Sequence, residues 1–445
     1  MTLRSTTKRW LLTVIGAATT ALITPSVSSA ASSPADDPFY QYTGSTPLAN
    51  IAPGTVLNTR TIDYKILGIA IGLKATQLLY RSTDAQLRPT VNVTTVVKPK
   101  CVICPNKNKV ISYQSFYDSL NPADQPSWAL SGGKSFTDLI PGIETALFVP
   151  FLLKGYTIVI PDTQGQKANF AAGPEYGYNT LDSIRATLNS PAIGLSSTAK
   201  VAMMGYSGGA IASEWAAELA PTYAPDINKN IIGAAIGGVL VHPDHNLGYV
   251  EGTPIWGGIA PMALVGAGRS YDLDLPQYLS DKGMTIYNKM QKASIINVLG
   301  QYPNTYWKDI VKPEYADRTK LQAYVVSVNK LIMGTGGTPT IPMFIGQGTG
   351  GELEGTPASA TWGKGDGVMI AGDVRTLARQ YCAKGVKIQY KEYALSHFTS
   401  MVSWLPQATL WVNDRFGGLF GPVAAPNNCS SIQPGNALEP VVYKP

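Results

Sequence analysis

Short, unbroken apolar runs alternate along the chain with segments of helical periodicity. Such runs are typical of parallel strands that are covered on both faces of a sheet. Seven runs are predicted to be strands: residues 91–97, 110–117, 156–160, 200–204, 231–241, 340–346 and 386–393. Because helical segments separate several of them, the pattern predicts an α/β fold with a mostly parallel central sheet flanked by helices.

Three segments next to predicted strands have the apolar spacing of helices. They are residues 136–154, the stretch in which Ile211, Trp215 and Leu219 recur every four residues, and residues 370–382. Residues four positions apart lie on one face of a helix. Each segment can therefore pack one apolar face on the predicted sheet.

The alternation of strands and helices stops between Pro243 and Gly337. Apolar residues at positions 321, 324, 325, 328, 331 and 332 predict one amphipathic helix, and residues 278–299 suggest others. An insertion at the carboxyl ends of parallel strands would cover the region where α/β proteins form their sites. We predict a core in two parts, residues 31–242 and 338–445, with a helical cap or lid at 243–337. A separate all-helical binding domain is the alternative.

The first thirty residues have the features of a Sec-type signal peptide. Arg4, Lys8 and Arg9 precede an apolar stretch at 10–23, and small residues end the segment at Ala30. A stretch of about 14 residues is shorter than the roughly 20 that span a membrane. The sequence therefore predicts a secreted, extracellular protein that is cleaved near Ala30.

Charge and composition exclude several classes of partner. The formal net charge of +6 becomes +3 when the three cationic residues of the predicted signal peptide are removed. This charge is small, no cluster of Lys and Arg is present, and nucleic-acid binding is therefore not expected. No later segment of the sequence is long and apolar enough to be an integral membrane segment. We expect a soluble monomer.

Four cysteines in an exported chain predict two disulfide bonds. Cys101 and Cys104 are expected to pair locally, because neither has a nearer partner. Cys382 and Cys429 would then tie a late helix to the C-terminal tail. A zinc site would need further Cys or His ligands near the first pair, and a redox site would need a thioredoxin-like βαβ context; neither is present.

One serine lies in a G-x-S-x-G pattern, Gly205-Tyr206-Ser207-Gly208-Gly209. About 0.3 chance matches are expected in a chain of this length, so the pattern alone decides nothing. Here a predicted buried strand precedes it and a predicted helix follows, as in the nucleophile elbow of serine hydrolases. This tight turn exposes the hydroxyl and aims the Gly208 amide at the developing oxyanion. Ser207 is the predicted nucleophile.

A serine nucleophile needs a base, and the chain has three histidines. His242 and His245 flank Pro243, which argues against a helix there. We interpret them as loop residues that close a strand, with metal ligation as a minor alternative. His397 follows the last predicted strand, as the order serine, acid, histidine of α/β-hydrolases requires.

The third member, a carboxylate that orients the histidine, should lie between the strand at 340–346 and the last strand. The candidates are Glu352, Glu354, Asp366 and Asp373. Asp373 falls within a predicted helix and is expected to be solvated. Asp366 lies in a tight turn before that helix and is favoured. Glu352 is the rival, because it lies nearer the end of the strand.

Several segments together resemble the secretory lipases. They are VISYQSFYD at 110–118, VIPDTQGQKANFAAG at 159–173, GYSGGA at 205–210, QYCAKG at 380–385, and the tail segments WVNDRF and APNNC. The resemblance covers nearly the whole mature chain. It implies an α/β-hydrolase with a helical cap that cleaves carboxylic esters of lipids at a lipid–water interface, without cofactor or metal.

Carried onto this chain, the resemblance implies Ser207, Asp366 and His397 as the triad and a bond between Cys382 and Cys429. The chain departs from the family pattern in the stretch GTGGELEGTPASATWGKG before Asp366. This departure makes the acid the least determined member of the triad.

The resemblance also implies that the backbone amides of Gly208 and Asp162 form the oxyanion hole. The general geometry of hydrolases instead points to the loop after an earlier strand, around Tyr117 and Asp118.

The cap carries large apolar residues in a glycine-rich setting: Trp256, Ile259, Met262, Leu264 and Val265. We expect enough of them to face the site to favour fatty acyl esters over acetyl esters and amides. The alternatives are a peptidase or acyltransferase with the same triad, and a catalytically inactive hydrolase fold that only binds.

Overall fold

All seven predicted strands lie in one sheet, together with two strands that were not predicted. The computed structural model describes residues 33–101, 104, 106–133, 139–418, 421 and 423–445. The predicted signal peptide lies outside these residues. The strands are β1 Val56–Ile66, β2 Ile69–Thr83, β3 Pro89–Val97, β4 Lys109–Gln114, β5 Thr157–Pro161, β6 Lys200–Tyr206, β7 Ile231–Gly237, β8 Met343–Gly348 and β9 Ile388–Tyr393.

The order of strands across the sheet is β1-β2-β3-β5-β4-β6-β7-β8-β9. Strands β1, β2, β3 and β5 pair antiparallel in succession. The remaining neighbours, from β5 across to β9, all pair parallel. The carboxyl ends of β6, β7 and β8 are therefore adjacent, and the segments that follow them meet at one edge of the sheet.

The hairpin of β1 and β2 was missed because β1 has no unbroken apolar run. Most residues of β1 are exposed or half-buried, and polar residues such as Asp63 recur along it. Asp63 lies opposite Lys74 in β2 and forms an ion pair with it. Charged cross-strand pairs suit an edge strand in contact with water, and such a strand lacks the apolar pattern of a central one.

The chain forms thirteen α-helices in the part that the structure describes. They are α1 Pro126–Ser131, α2 Leu139–Leu153, α3 Gly173–Asn189, α4 Gly208–Tyr223, α5 Pro225–Asn228, α6 Pro243–Val250, α7 Ile259–Ser270, α8 Asp281–Met290, α9 Ile295–Val298, α10 Trp307–Ile310, α11 Gln322–Asn329, α12 Ala371–Ala383 and α13 His397–Arg415.

Helix α3 was not predicted, although nearly all of it is buried. Its sequence is as polar as it is apolar, so apolar periodicity does not reveal it. Buried polar groups are tolerated there because they have partners: Arg185 donates to Asp182 at 2.9 Å within the helix. Tertiary contacts, not local pattern, make this segment an interior helix.

Helices cover both faces of the sheet. On one face, α3, α4 and α12 contribute side chains such as Tyr176, Trp215 and Leu377 to the largest apolar cluster. On the other face, α2 and α13 contribute Phe148 and Trp404 to a second cluster. This layered arrangement is why the central strands are apolar on both sides.

The segment between β7 and β8 contains six helices, α6 to α11. Our interpretation of His242 and His245 as loop residues is wrong for His245, which lies within α6, whereas His242 precedes the helix as its N-cap; Pro243 is the first residue of α6. Proline is tolerated at the first helical position, where no intrahelical partner for its missing N–H exists. The two imidazole rings stack with their centroids 3.7 Å apart.

The helical segment packs on the core through its own apolar cluster. This cluster joins Met262, Val265 and Tyr324 of the segment to Leu120 and Phe170, which precede it in the chain. Helix α11 ends at Asn329, which is earlier than the apolar pattern predicted.

Both predicted disulfide bonds are confirmed. Cys101 pairs with Cys104, and Cys382 at the end of α12 pairs with Cys429 in the tail. Among the described residues, no helix combines the length and apolar character that crossing a membrane would require.

Candidate active site

Ser207 occupies the turn that joins β6 to α4. Its φ angle is +52°, a conformation that is rare outside glycine, and its amide donates to the Gly237 carbonyl at 2.9 Å. A Cβ atom at Gly205 would collide with the Gly209 carbonyl, and one at Gly209 would collide with the Gln114 carbonyl. The flanking glycines are therefore required by the close approach of backbone to backbone.

The structure brings the three predicted side chains into one hydrogen-bonded row. His397 Nε2 lies 2.8 Å from Ser207 Oγ, and His397 Nδ1 lies 2.8 Å from Asp366 Oδ2. His397 begins helix α13, and its amide also donates to the Asp366 carbonyl at 2.6 Å. A base within hydrogen-bond reach of the hydroxyl, oriented by a carboxylate, is the arrangement that activates a serine.

Asp366 is held by several donors besides the histidine. Its Oδ1 accepts from the amides of Val368 and Met369 at 3.1 and 2.7 Å, and its Oδ2 accepts from Gln347 Nε2 at 3.0 Å. The residue is fully buried. These bonds compensate for burial and fix the direction of the carboxylate.

The other acidic candidates have different surroundings. Glu352 is exposed. Glu354 is buried, and its oxygens accept from Phe398 N and Trp256 Nε1. The expectation that Asp373 is solvated is wrong: it is 1% exposed and hydrogen-bonds to His245 at 3.0 Å, because the tail and the helical segment cover this face of α12.

Burial and charge act in opposite directions on His397. Burial disfavours its charged form, but the Asp366 carboxylate outweighs this effect and, with Glu354 and Asp118, raises the pKa of the imidazole. Burial also raises the pKa of the Asp118 carboxyl, to about 8. Asp118 is therefore mostly protonated at neutral pH.

Asp118 lies beside the nucleophile turn. It follows β4, has a φ angle of +28°, and its carbonyl accepts from Ile295 N at 2.8 Å. A Cβ atom at Gly208 would collide with its carboxyl group. Asp118 and Gly208 thus approach closely, and both line the same cavity as Ser207.

The donor role implied for Asp162 does not fit the structure. Its amide donates to the Val93 carbonyl at 3.0 Å, where β5 pairs with β3. Its buried carboxyl group accepts from Ser127 N at 2.8 Å. A backbone amide has one hydrogen, and this one is used within the sheet, so the prediction for Asp162 is wrong.

An apolar cavity of about 320 Å³ opens beside Ser207 and His397. Three of the five apolar residues singled out in the helical segment line it: Trp256, Ile259 and Leu264. Met262 and Val265 instead belong to the cluster that packs this segment on the core. The segment therefore contributes a wall of the cavity as well as its own packing.

His242 and His245 lie away from this row and are engaged elsewhere. His242 Nε2 is 3.1 Å from the Glu439 carbonyl, and His245 stacks on Trp362. Among the described residues, no group of three or more His, Cys, Asp or Glu side chains is placed to hold a metal ion.

Comparison with known proteins places these features in a family. A family model described as secretory lipase matches residues 132–420. The chain belongs to the secretory lipase family. Lipase 1 of Candida albicans is 32% identical to this secretory lipase over 369 residues, which are 77% of this chain and 72% of that protein.

The crystal structure of Candida antarctica lipase A in its closed state is similar to this secretory lipase with a TM-score of 0.76. The two sequences are 27% identical, and the match covers 92% of this chain and 91% of that one. A Mycobacterium tuberculosis protein named "Probable inactive lipase" is 29% identical over 392 residues, which are 86% of this chain and 83% of that protein.

These similarities confirm the predicted family and the α/β-hydrolase fold. The secretory lipase described here is a carboxylic ester hydrolase of the lipase class. Its family and its two disulfide bonds indicate an extracellular protein, because disulfides persist in oxidising compartments.

Sequence reasoning did not anticipate the position of Glu354. It was considered only as a possible triad acid, whereas its carboxylate contacts Trp256 and the start of α13. The one feature of the sequence that could have indicated a role for Glu354 is that this acidic residue lies in the stretch that departs from the family pattern. Its partners come from segments about 44 and 98 residues away.

Proposed function

We propose that Ser207 attacks the carbonyl of a lipid ester and that His397 takes the proton of its hydroxyl. An acyl-enzyme forms and the alcohol leaves with a proton from His397. A water molecule, activated by the same imidazole, then releases the fatty acid. The observation that carries this proposal is the row of two 2.8 Å contacts from Ser207 through His397 to Asp366 at the base of an apolar cavity.

The oxyanion would be stabilised by the backbone amides of Gly208 and Asp118. Gly208 is the first residue of α4, so its amide has no intrahelical partner. This amide donates to the Asp118 carboxyl group, whose place the oxyanion would take during the reaction. Asp118 lies close to it in the segment after β4, where general hydrolase geometry locates the second donor. Both residues line the cavity beside the nucleophile. No cofactor or metal is required for this reaction.

Residues 243–337 would act as a cap that forms the acyl-binding wall. The side chains of Trp256, Ile259 and Leu264 meet the cavity, and fatty acyl chains are favoured there by burial of apolar surface. Each buried methylene adds about 0.8 kcal/mol. The protein would be exported by a signal peptide cleaved near Ala30 and would meet its substrate at a lipid–water interface as a monomer.

The decisive experiment combines labelling with substitution. A fluorophosphonate should label the wild type at Ser207, and Ser207→Ala should lose at least about 10³-fold in kcat/KM while retaining its melting temperature. Unlabelled wild type would favour the alternative of a catalytically inactive fold that only binds; the M. tuberculosis relative is likewise named a probable inactive lipase.

A series of p-nitrophenyl esters tests the substrate class. The value of kcat/KM should rise from the acetyl ester to at least the octanoyl ester, because the cavity wall is apolar. A maximum at the acetyl ester, or faster cleavage of amides than of esters, would contradict a preference for lipids and support an acetylesterase or a peptidase.

A further inference from the structure

Glu354 lies in the glycine-rich stretch before Asp366 that departs from the family pattern. It belongs to a short 3-10 turn, Gly351–Glu354, and Gly355 closes the turn with a φ angle of +77°. The Gly351 amide donates to the Gly365 carbonyl at 2.9 Å. The turn is thereby tied to the backbone next to Asp366.

The Glu354 carboxyl group bridges two parts of the site. Its Oε1 accepts from the Phe398 amide at 2.9 Å, and its Oε2 accepts from Trp256 Nε1 at 3.0 Å. Phe398 directly follows His397 in the first turn of α13. Trp256 belongs to the segment between β7 and β8 and lines the cavity.

Both partners of Glu354 lie next to His397: Phe398 is the next residue in the chain, and the Trp256 side chain packs against both residues. The Trp256 ring meets the His397 ring edge-on, with centroids 5.3 Å apart, and stacks on the Phe398 ring at 5.3 Å. One carboxylate therefore holds both an aromatic wall of the cavity and the backbone next to His397.

The start of α13 is fixed almost entirely from the segment that contains Glu354 and Asp366. The His397 amide donates to the Asp366 carbonyl and the Phe398 amide to Glu354. The capping box of Ser396 and Thr399 completes the turn. Because the first amides of a helix have no intrahelical partner, these bonds determine where the helix begins and how His397 is directed.

We propose that Glu354 is a positioning residue for the ester hydrolysis, which orients His397 through the first turn of α13 and ties Trp256 to the same turn. This role rests on the proposed function of the triad. Glu354 also acts through charge. Three acidic groups face His397: Asp366, Glu354 and Asp118. The charges of Asp366 and Glu354 favour the protonated imidazole, whereas burial raises the pKa of Asp118 to about 8 and so limits its charge at neutral pH.

The test compares Glu354→Gln with Glu352→Gln, a matched control that removes the same charge from an exposed position two residues away. The kcat/KM of a short, soluble p-nitrophenyl ester is measured from pH 4 to pH 9. Removing the Glu354 charge should lower the apparent pKa of the acid limb of the profile, which reports His397, by about 0.5 units or more. It should also reduce kcat at pH 7 about tenfold with a smaller change in KM. Glu352→Gln should coincide with the wild type.

Trp256→Phe separates the two contributions, because it removes one hydrogen bond and leaves the charge. It should lower kcat without moving the acid limb. The proposal would be overturned if the pH profiles of Glu354→Gln and Glu352→Gln coincided. It would also be overturned if Trp256→Phe shifted the acid limb as much as Glu354→Gln does. Should Glu354→Gln fail to fold, Glu354→Asp keeps the charge with a shorter reach. Glu354→Asp should then lower kcat without changing the apparent pKa of the acid limb. A kcat equal to that of the wild type would refute the positioning role.

Fluorophosphonate labelling of the wild type distinguishes a failure of the positioning role from a failure of the proposed function. If Ser207 is not labelled, the proposed function fails. If it is labelled and the Glu354 variants behave as the wild type, only the positioning role fails.

Discussion

Two glycine-rich segments at the carboxyl edge of the sheet supply parts of the site in different ways. Residues 205–209 span the end of β6 and the turn after it and contain Ser207, the proposed nucleophile; residues 349–370 follow β8 and contain Asp366, the proposed acid. In the first, each glycine is required by a collision within a few residues or with the adjacent strand or loop. In the second, Asp366 accepts from the nearby amides of Val368 and Met369, but it also contacts His397, and Glu354 is held by partners 44 and 98 residues away.

This difference shows what a local pattern can specify. The turn at Ser207 is predicted by a short motif in a strand-turn-helix context. The residues of the motif are adjacent in the chain, although Gly208 and Gly209 are required by the close approach of Asp118 and Gln114. The later segment contains three carboxylates, Glu352, Glu354 and Asp366, and Asp373 follows in the next helix. Burial and hydrogen-bond partners, which the sequence does not display, distinguish them.

The largest expected effect concerns the choice among these carboxylates. Asp366→Asn should reduce kcat by about 10⁴-fold, because an amide cannot hold the imidazole tautomer that accepts the serine proton. Glu352→Gln should leave kcat unchanged, since Glu352 is exposed. Steady-state kinetics on both variants, with melting curves as the control for folding, checks this. Equal losses of kcat in the two variants would contradict the assignment of Asp366 as the one carboxylate that orients His397.

The next effect compares a glycine from each segment. In Gly208→Ala the new Cβ would collide with the Asp118 carboxyl group, so the proposed oxyanion hole should be distorted and kcat/KM should fall about 10²-fold. Gly363 has a φ angle of +74°, and a Cβ atom at this position would meet no atom within 4 Å. Gly363→Ala should therefore cost only about 1 kcal/mol of unfolding free energy, with kcat/KM retained. Full activity of Gly208→Ala would contradict the oxyanion assignment.

The smallest expected effect concerns the pH dependence of stability next to the nucleophile. Burial raises the pKa of Asp118 to about 8 in the folded state, above its ordinary value in the unfolded chain. The folded protein therefore holds a proton that the unfolded chain releases, and the stability from this group is lost as pH rises from about 4 through 8. Asp118→Asn should remove this part of the loss, because the amide does not titrate in either state.

Denaturant unfolding of wild type and Asp118→Asn at pH 5 and pH 8.5 measures the difference. Glu144 and Asp162 have pKa values raised by burial to about 7 and remain in both proteins, so both should be less stable at the higher pH. An identical loss of stability in the two proteins would show that Asp118 does not carry the raised pKa.

Sequence alone determined the features that depend on local pattern. Apolar runs located seven strands, the context of the G-x-S-x-G turn singled out Ser207, and the order of residues selected His397. The strands and the Ser207 turn are visible in residues that are close in the chain. His397 was selected because it is the only one of three histidines that follows the last strand.

Tertiary structure decided what required partners distant in sequence. It showed that α3 is interior, because ion pairs and hydrogen bonds make its polar residues tolerable inside. It showed that the Asp162 amide is used in the sheet and that Asp118 lies beside Gly208 instead. It also gave Glu354 its contacts with Trp256 and Phe398. Burial and hydrogen-bond satisfaction are properties of the folded chain, and a linear pattern does not contain them.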